Sequence, residues 1–414
     1  MNFDDTPKEA EFRAEVRNWI KANAPHHLRD ELVRLRGTGR MSARGFDPLK
    51  EGKAWQKKKF DAGWACMHWP KEYGGRGASP IERVIWQQEE GPYAELCSFF
   101  GIGQGMCGPT VMAHGSEVAR QRYLPPLASG EEVWCQLFSE PVAGSDLAGL
   151  RTRAERDGDF WVINGQKIWT SGAHYSDYGI LITRTDPNVP KHDGLTMFYI
   201  DMKAAGVEIR PIKQISGASH FNEVFFTNLR IPDSQRLGAV GNGWKVSLTT
   251  LMNERMSIGT GVATGFPELL KFCSEYKTGN GLAIDDASVR SKLATWAARD
   301  AGLKYTAYRS ISAHSKGQNP GPENSIGKLV AGSMLQEIAM FAMDLQGQNG
   351  MSSDAEHTEA GGHIQSMLFR APAMRIAGGT DEILRNIIAE RVLGLPADMR
   401  ADRGIAFNKI PTKI

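Results

Sequence analysis

The chain has 414 residues, enough for two or three domains, and its 41% hydrophobic and 23% charged content is that of an ordinary soluble globular protein. A net charge of +2, with no aromatics interleaved in a basic patch, excludes an electrostatic footprint for nucleic acid. No apolar run approaches the ~18 residues that would suggest a membrane span. Five scattered cysteines without CxxC spacing predict buried thiols rather than disulfides, and ten histidines without HxxH or HExxH pairing predict no metal site. The acidic start, Met1–Thr6, is neither a signal nor a transit peptide, which with the free thiols suggests a reducing cytoplasm.

The first third reads as helix. Phe12, Val16, Trp19 and Ile20 recur at helical spacing until Pro25 closes the segment. A polar loop is expected around Arg36–Pro48, then helices over Trp55–Trp64, Ile81–Glu90 and Val111–Ala128. Near Trp134 the pattern shortens to strands. Phe160–Trp169 predicts two strands around Asn164-Gly165, and Asp157-Gly158 makes a similar turn just before. Further strands are expected at Tyr178–Thr185, Leu195–Met202, Val207–Ile215 and Asn222–Ile231. From Gly243 long amphipathic patterns return over Trp244–Tyr276, Ala287–His314, Ser325–Leu345 and Asp381–Leu393, enough for a four-helix bundle. The order helical–β–helical, without alternating βαβ units, excludes a doubly wound sheet. The expected fold class is α+β: an N-terminal helical domain (1–132), a central antiparallel β-barrel (133–240) and a C-terminal four-helix bundle (241–414).

Two turns carry the chemical signal. Trp134-Cys135-Gln136-Leu137-Phe138-Ser139-Glu140-Pro141 runs from a short apolar strand into Val142-Ala143-Gly144-Ser145-Asp146, whose small residues let a flat polar ligand approach the main chain. Gly165-Gln166-Lys167-Ile168-Trp169-Thr170-Ser171 is a second strand ending in an aromatic and two hydroxyls. Such turns suit a flavin ring stacked on Trp169 and bonded through Ser139, Thr170 and Ser171; either alone equally suits an ordinary β-barrel turn. Gly103-Gln104-Gly105-Met106-Cys107-Gly108 formally satisfies GxGxxG, but no βαβ strand precedes it and Pro109 follows, so close helix packing near a ligand cavity is expected instead. In Leu251-Met252-Asn253-Glu254-Arg255-Met256-Ser257-Ile258, Glu254 shares a helical stripe with Leu251 and Ile258. An acid there is either a general base with a raised pKa or one half of a buried ion pair with an arginine.

The two strand–turn motifs and the helical–β–helical order resemble the acyl-CoA dehydrogenase family over nearly the whole chain. The resemblance implies that FAD is held by Gln136, Phe138, Ser139, Gly144, Ser145, Trp169, Thr170 and Ser171, with Thr380 and Glu382 near the ribityl–pyrophosphate. That family places its catalytic glutamate either just before the Gly-Thr opening the last helix or on an earlier helix before an arginine. Here the late motif reads Ala377-Gly378-Gly379-Thr380-Asp381-Glu382, so Gly378 cannot act as a base, while Glu254 precedes Arg255. This is similar to isovaleryl- and long-chain-type enzymes and bacterial steroid side-chain enzymes. It implies Glu254 as the base, the Gly378 N–H as a holder of the thioester oxygen, and Ser145 and Arg255 as substrate contacts. The β-hydrogen would leave as hydride to the flavin, giving a trans-2-enoyl-CoA. Electron-transfer flavoprotein as acceptor, and a dimer of dimers built from one chain or two, are implied in the same way.

The family's Arg-x-x-Phe-Gly run is replaced by Cys273-Ser274-Glu275-Tyr276-Lys277-Thr278-Gly279-Asn280, and its Gln-x-x-Gly-Gly before Asn-Gly by Asp344-Leu345-Gln346-Gly347-Gln348-Asn349-Gly350. These departures put flavin contacts from a neighbouring subunit in doubt. They leave open a bulky acyl substrate, a non-catalytic or weakly flavin-binding partner subunit, and a flavin oxidase or monooxygenase on the same scaffold.

Overall fold

Helix starts in the N-terminal region follow one local grammar. Thr6 and Ser79 each accept the backbone N–H three residues on, and Glu9 and Glu82 reach back to the cap, with proline in the first turn. These caps open α1 (Pro7–Asn23) and α4 (Pro80–Glu90); Asp47 caps α3 (Pro48–Asp61) likewise, and α2 (Arg29–Leu35) lies between. The computed structural model describes residues 5–35, 47–258, 264–315, 321, 325–352, 358 and 362–411; most of the polar loop expected around Arg36–Pro48 lies outside them. After the short α5 (Ala94–Cys97) come α6 (Gly108–His114) and α7 (Glu117–Ser129), because Gly115-Ser116 breaks the expected Val111–Ala128 helix. Trp19, Trp55, Trp64 and Trp86 cluster here, Trp64 and Trp86 stacked at 4.9 Å. Within that cluster Glu90 accepts from the Trp55 and Trp86 indoles and from Lys59.

The strands are β1 (Trp134–Leu137), β2 (Arg153–Asp157), β3 (Phe160–Ser171), β4 (Tyr178–Arg184), β5 (Leu195–Asp201), β6 (Val207–Ile212), β7 (Phe221–Pro232) and β8 (Arg236–Leu237). They form an eight-stranded sheet in the order β6-β7-β3-β2-β4-β5-β8, with β1 pairing β4. Most pairs are antiparallel, but β1 runs parallel to β4, so the sheet is mixed and open rather than the expected antiparallel barrel. The reason is local: β1 is followed by a fifteen-residue excursion, 138–152, and not by a hairpin turn.

Asn164-Gly165 is not a turn either. β3 continues through it for twelve residues, with a register shift against β7. Asn164 Oδ1 accepts the Asn228 N–H, and Gly165 lies where a Cβ would sit 2.5 Å from Thr152 Oγ1. The pair therefore makes a bulge, and Asp157-Gly158 alone turns the chain between β2 and β3.

Contacts divide the molecule into two compact units, Met1–Leu32 with Met41–Glu254 and Asp398–Ile414, and Val33–Arg40 with Arg255–Ala397. The expected Trp244–Tyr276 helix breaks into α8 (Gly243–Ile258) and α9 (Phe266–Glu275). The second unit continues, past a two-stranded ribbon (β9, Lys277–Thr278; β10, Gly281–Leu282), with α10 (Ala287–Ser315), α11 (Ser325–Gln346), α12 (His363–Ile376) and α13 (Asp381–Arg391). α12 was not anticipated; it runs through Pro372, which sits exposed inside the helix. α11 is the central element. Ser325–Met351 is by length and composition the one described stretch apolar enough to cross a membrane, although charged residues interrupt it. Met334, Leu335, Ile338, Ala339 and Ala342 bury its apolar stripe in the core of this unit, which accounts for that hydropathy.

The GxGxxG segment is a π-turn, Gly103–Cys107, leading into α6. Its glycines serve packing: a Cβ on Gly108 would lie 2.2 Å from the Trp69 ring. Gly108→Ala gains about 1 kcal/mol of helix propensity but costs about 1–3 kcal/mol of overpacking against a fully buried ring. Denaturant titration should show net destabilisation for Gly108→Ala and none for Gly101→Ala, where the added methyl meets open space.

Candidate active site

The two sequence motifs meet in the first unit through one buried ion pair. Lys167, on β3, is fully buried and donates to Glu140 Oε1 at 2.9 Å and to the Phe138 carbonyl at 3.0 Å. Glu140 also accepts the N–H groups of Arg151 (2.6 Å) and Thr152 (2.9 Å), and the Ile168 N–H donates to the Ser139 carbonyl at 2.9 Å. Burial alone would raise the Glu140 carboxyl, but Lys167 and the N–H donors outweigh it and hold it below its ordinary value. Burial pushes the Lys167 ammonium down to about 8, with Glu140 opposing.

These bonds fix the termini of both turns. Glu140 and Ala143 exchange backbone bonds, closing a tight turn that leaves Gly144 and Ser145 exposed, while Phe138 is buried and Gln136 and Ser139 half-buried. On the other motif the β3–β7 register slips between Lys167 and Thr170. Trp169 stands in that bulge at φ +60°, a strained conformation for an aromatic residue, and its side chain is 56% exposed, edge-on to Phe221. Thr170 points inward; its Oγ1 is buried without a hydrogen-bond partner, while its carbonyl accepts from Asn222 Nδ2 at 2.9 Å. Ser171 is half-buried. An exposed ring held at a strained angle beside an unsatisfied buried hydroxyl suits a flat, polar group such as a flavin.

A C-terminal strap braces the Ser145 turn. Lys191 bonds both Asp146 oxygens, at 2.8 and 2.9 Å, and pairs with Asp402. Arg184 donates to the carbonyls of Ala148, Leu150 and Lys191, and its guanidinium lies 3.4 Å over the Phe407 ring. Between turn and strap lies a cleft of about 340 Å³ lined by Asp146, Arg151, Lys191, Asp402 and Phe407, among others.

Glu254 lies near the end of α8, which is anchored to α6 by Thr110–Thr250 and His114–Thr249 hydroxyl and imidazole contacts of 2.8 Å. Val246 and Leu251 of the same helix join the core that holds Trp134 and Phe138. Glu254 is half-buried, as is Leu251, so the apolar stripe covers it only in part. The side chains of Arg255 and Ile258 lie outside the described residues.

In the second unit Gly378 and Gly379 have φ of +67° and +96°, and Thr380 caps α13 by accepting the Ile383 N–H at 3.3 Å. Glu382 is exposed in the first turn, its carboxyl held below the ordinary range by its own backbone N–H and the Thr380 hydroxyl. Arg375 Nε bonds the buried Asp381 at 2.7 Å, and the buried Lys328 donates to the Gly379 carbonyl.

Sequence reasoning quoted Glu140 and Lys167 within the motifs without assigning them a role, and missed Asn222 and Lys328. The available signal was a lysine on the inward phase of Trp161 and Ile163 in β3, and another on the apolar stripe of α11.

A buried ion pair is costly to break and cheap to replace whole. Glu140→Gln should cost about 3–5 kcal/mol in denaturant titration, and Glu140→Gln with Lys167→Met should recover much of it. A carboxyl held below its ordinary 4.5 contributes stability that is fully present above that value and lost as pH falls through the folded one. The wild-type acid limb should therefore be steeper than that of the double variant.

Three family models cover the chain: acyl-CoA dehydrogenase N-terminal domain at residues 6–131, middle domain at 135–229 and C-terminal domain at 241–393. The acyl-CoA dehydrogenase IpdE1 of Mycobacterium tuberculosis is 38% identical over 397 residues, covering 94% of this chain and 98% of its own. Two solved structures share the fold at 28% identity, each covering 96% of this chain and 100% of its own: the Tcur3481-Tcur3483 steroid ACAD, with a TM-score of 0.80, and the ChsE4-ChsE5 complex from Mycobacterium tuberculosis, with 0.78. With all three domain models matched in order and a relative of this identity along almost its full length, the chain belongs to the acyl-CoA dehydrogenase family of flavoprotein oxidoreductases.

Proposed function

We propose that this enzyme catalyses FAD-dependent α,β-dehydrogenation of an acyl-CoA thioester carrying a bulky, branched or cyclic acyl group. The observation that carries the flavin part is the β3 bulge, where Trp169 is exposed at φ +60° and Thr170 Oγ1 is buried without a partner. Gln136, Phe138, Ser139, Gly144, Ser145, Trp169, Thr170 and Ser171 would hold the isoalloxazine end, and Thr380 and Glu382 the ribityl–pyrophosphate end. When bound, the flavin supplies a two-electron acceptor for a hydride leaving the substrate's β-carbon.

The chain's own residues do the rest. The Gly378 N–H donates to the thioester oxygen, which acidifies the α-carbon as negative charge develops on that oxygen. Glu254 takes the α-proton, and departure of the β-hydrogen leaves a trans-2-enoyl thioester. Ser145 and Arg255 contact the substrate. The bulky acyl group is supported by the steroid ACAD among the similar structures. Electron-transfer flavoprotein is the proposed acceptor and the bacterial cytoplasm the proposed setting; the five free cysteines suit a reducing compartment.

A second reading has its own observation. α9 ends in Cys273–Glu275 and a short ribbon, without the arginine and Phe-Gly expected to reach a neighbouring subunit's flavin. The ChsE4-ChsE5 relative is by its name a complex of two chains. A hetero-oligomer, in which this chain pairs with a related one to form a dimer of dimers, is therefore part of the proposal. Light scattering with and without a sister chain, combined with bound FAD per chain, separates a catalytic subunit from a silent one. Oxygen uptake during turnover would indicate an oxidase.

Glu254→Gln should keep bound flavin and ligand while slowing flavin bleaching by a CoA ester ~10²–10⁴-fold, since Gln keeps the volume but takes no proton. A screen of CoA esters from short straight chains to steroid-like acids supplies the substrate. Near wild-type bleaching in Glu254→Gln would remove it as the base; partial recovery on adding Gly378→Glu would support one pocket served from either position.

A further inference from the structure

Lys328 has no part in the steps above, and two features of its placement disfavour a cation. It stands in the first turn of α11, where the helix dipole disfavours a cation, and it is 5% exposed. Among the described residues its bond runs to a backbone carbonyl, that of Gly379, and not to a carboxylate. A buried ammonium without an ion-pair partner is desolvated at a cost that a neutral acceptor only partly offsets. Desolvation holds its pKa below the ordinary value, opposed by Asp381 and Glu382 and reinforced by Arg375.

The carbonyl it holds belongs to the second of two consecutive glycines with positive φ. Two glycines in succession have wide conformational freedom, so that turn keeps one shape only if something outside it is bonded to it. On the far side Thr380 bonds the Ile383 N–H, and Arg375 bonds Asp381. On the glycine side the bond comes from Lys328.

We propose that Lys328 is a positioning residue for the thioester oxygen: its ammonium, bonded to the Gly379 carbonyl, locks the Gly378–Gly379 turn so that the Gly378 N–H is held ready for the developing enolate. This rests on the dehydrogenase reading, in which Gly378 N–H is the donor to that oxygen. The cation also adds to the positive field of the α13 N-terminus, which favours an anion at the turn.

The test uses the flavin-loaded enzyme, with any sister chain, as wild type, Lys328→Met and Lys328→Arg. Acetoacetyl-CoA serves as the probe, because its enolate absorbs separately from the keto form. Lys328→Met should keep its flavin, unfold at the same or a higher temperature, and leave KM little changed. Flavin reduction should slow roughly ten- to a hundredfold, and the enolate fraction of bound acetoacetyl-CoA should fall at fixed pH. Lys328→Arg, which keeps the charge, should restore part of both. An unchanged reduction rate and enolate fraction in Lys328→Met overturns the inference. So does a variant that loses flavin and thermal stability together or fails to fold, since that marks Lys328 as structural. If wild type binds acetoacetyl-CoA with no enolate at all, the thioester reading itself fails and takes the inference with it.

Discussion

The β half of the candidate site depends on the Lys167–Glu140 ion pair. β1 and β3 do not pair as adjacent strands in the sheet order; a lysine of β3 crosses to a carboxylate and a carbonyl just after β1, beside one backbone bond from Ile168 to Ser139. Without it the 138–152 excursion would lose the charge that ties its start to β3. With it, Glu140 also gathers the N–H groups of Arg151 and Thr152, so that both ends of the excursion converge on one carboxylate. Charge in a low-dielectric interior acts strongly at short range, and a pair whose partners are each satisfied by further bonds defines a single geometry. An apolar pair of similar volume could match its stability but would not select that arrangement of donors.

Strain and unsatisfied polarity collect beside this anchor. Trp169 is held at a backbone angle that an aromatic residue seldom adopts, and its neighbour Thr170 has a buried hydroxyl without a partner. In the second unit the turn before α13 combines two left-handed glycines with a buried lysine on a carbonyl. None of these features benefits the folded chain by itself. A strained aromatic beside an unsatisfied buried hydroxyl, as at the β3 bulge, is what a protein shaped around a ligand shows.

Much of the fold was legible because its signals are local. Apolar periods of 3.6 or 2, with glycine and proline at the breaks, placed most helices and strands within a few residues. The misses share one cause: the same local signal serves two structures. Asn164-Gly165 has the residues of a hairpin turn, but partners on Thr152 and Asn228 make it a bulge. The antiparallel barrel was inferred from strand spacing, which is silent about whether β1 lies parallel or antiparallel to β4.

For the site, the sequence by itself determined which residue types sit in the two turns and that position 378 holds no acid, while a glutamate followed by an arginine stands at 254. Those are facts of order along the chain, and with the motif resemblance they sufficed to identify the family. Only the tertiary structure decided what holds the turns in place. Lys167 lies 27 residues from Glu140, and Lys328 lies 51 from Gly379, separations at which spacing carries no information about contact. A lysine in an apolar stripe looks alike in sequence whether it snorkels to solvent or turns inward. The choice belongs to packing, because a buried ammonium persists only where the folded chain brings it an acceptor.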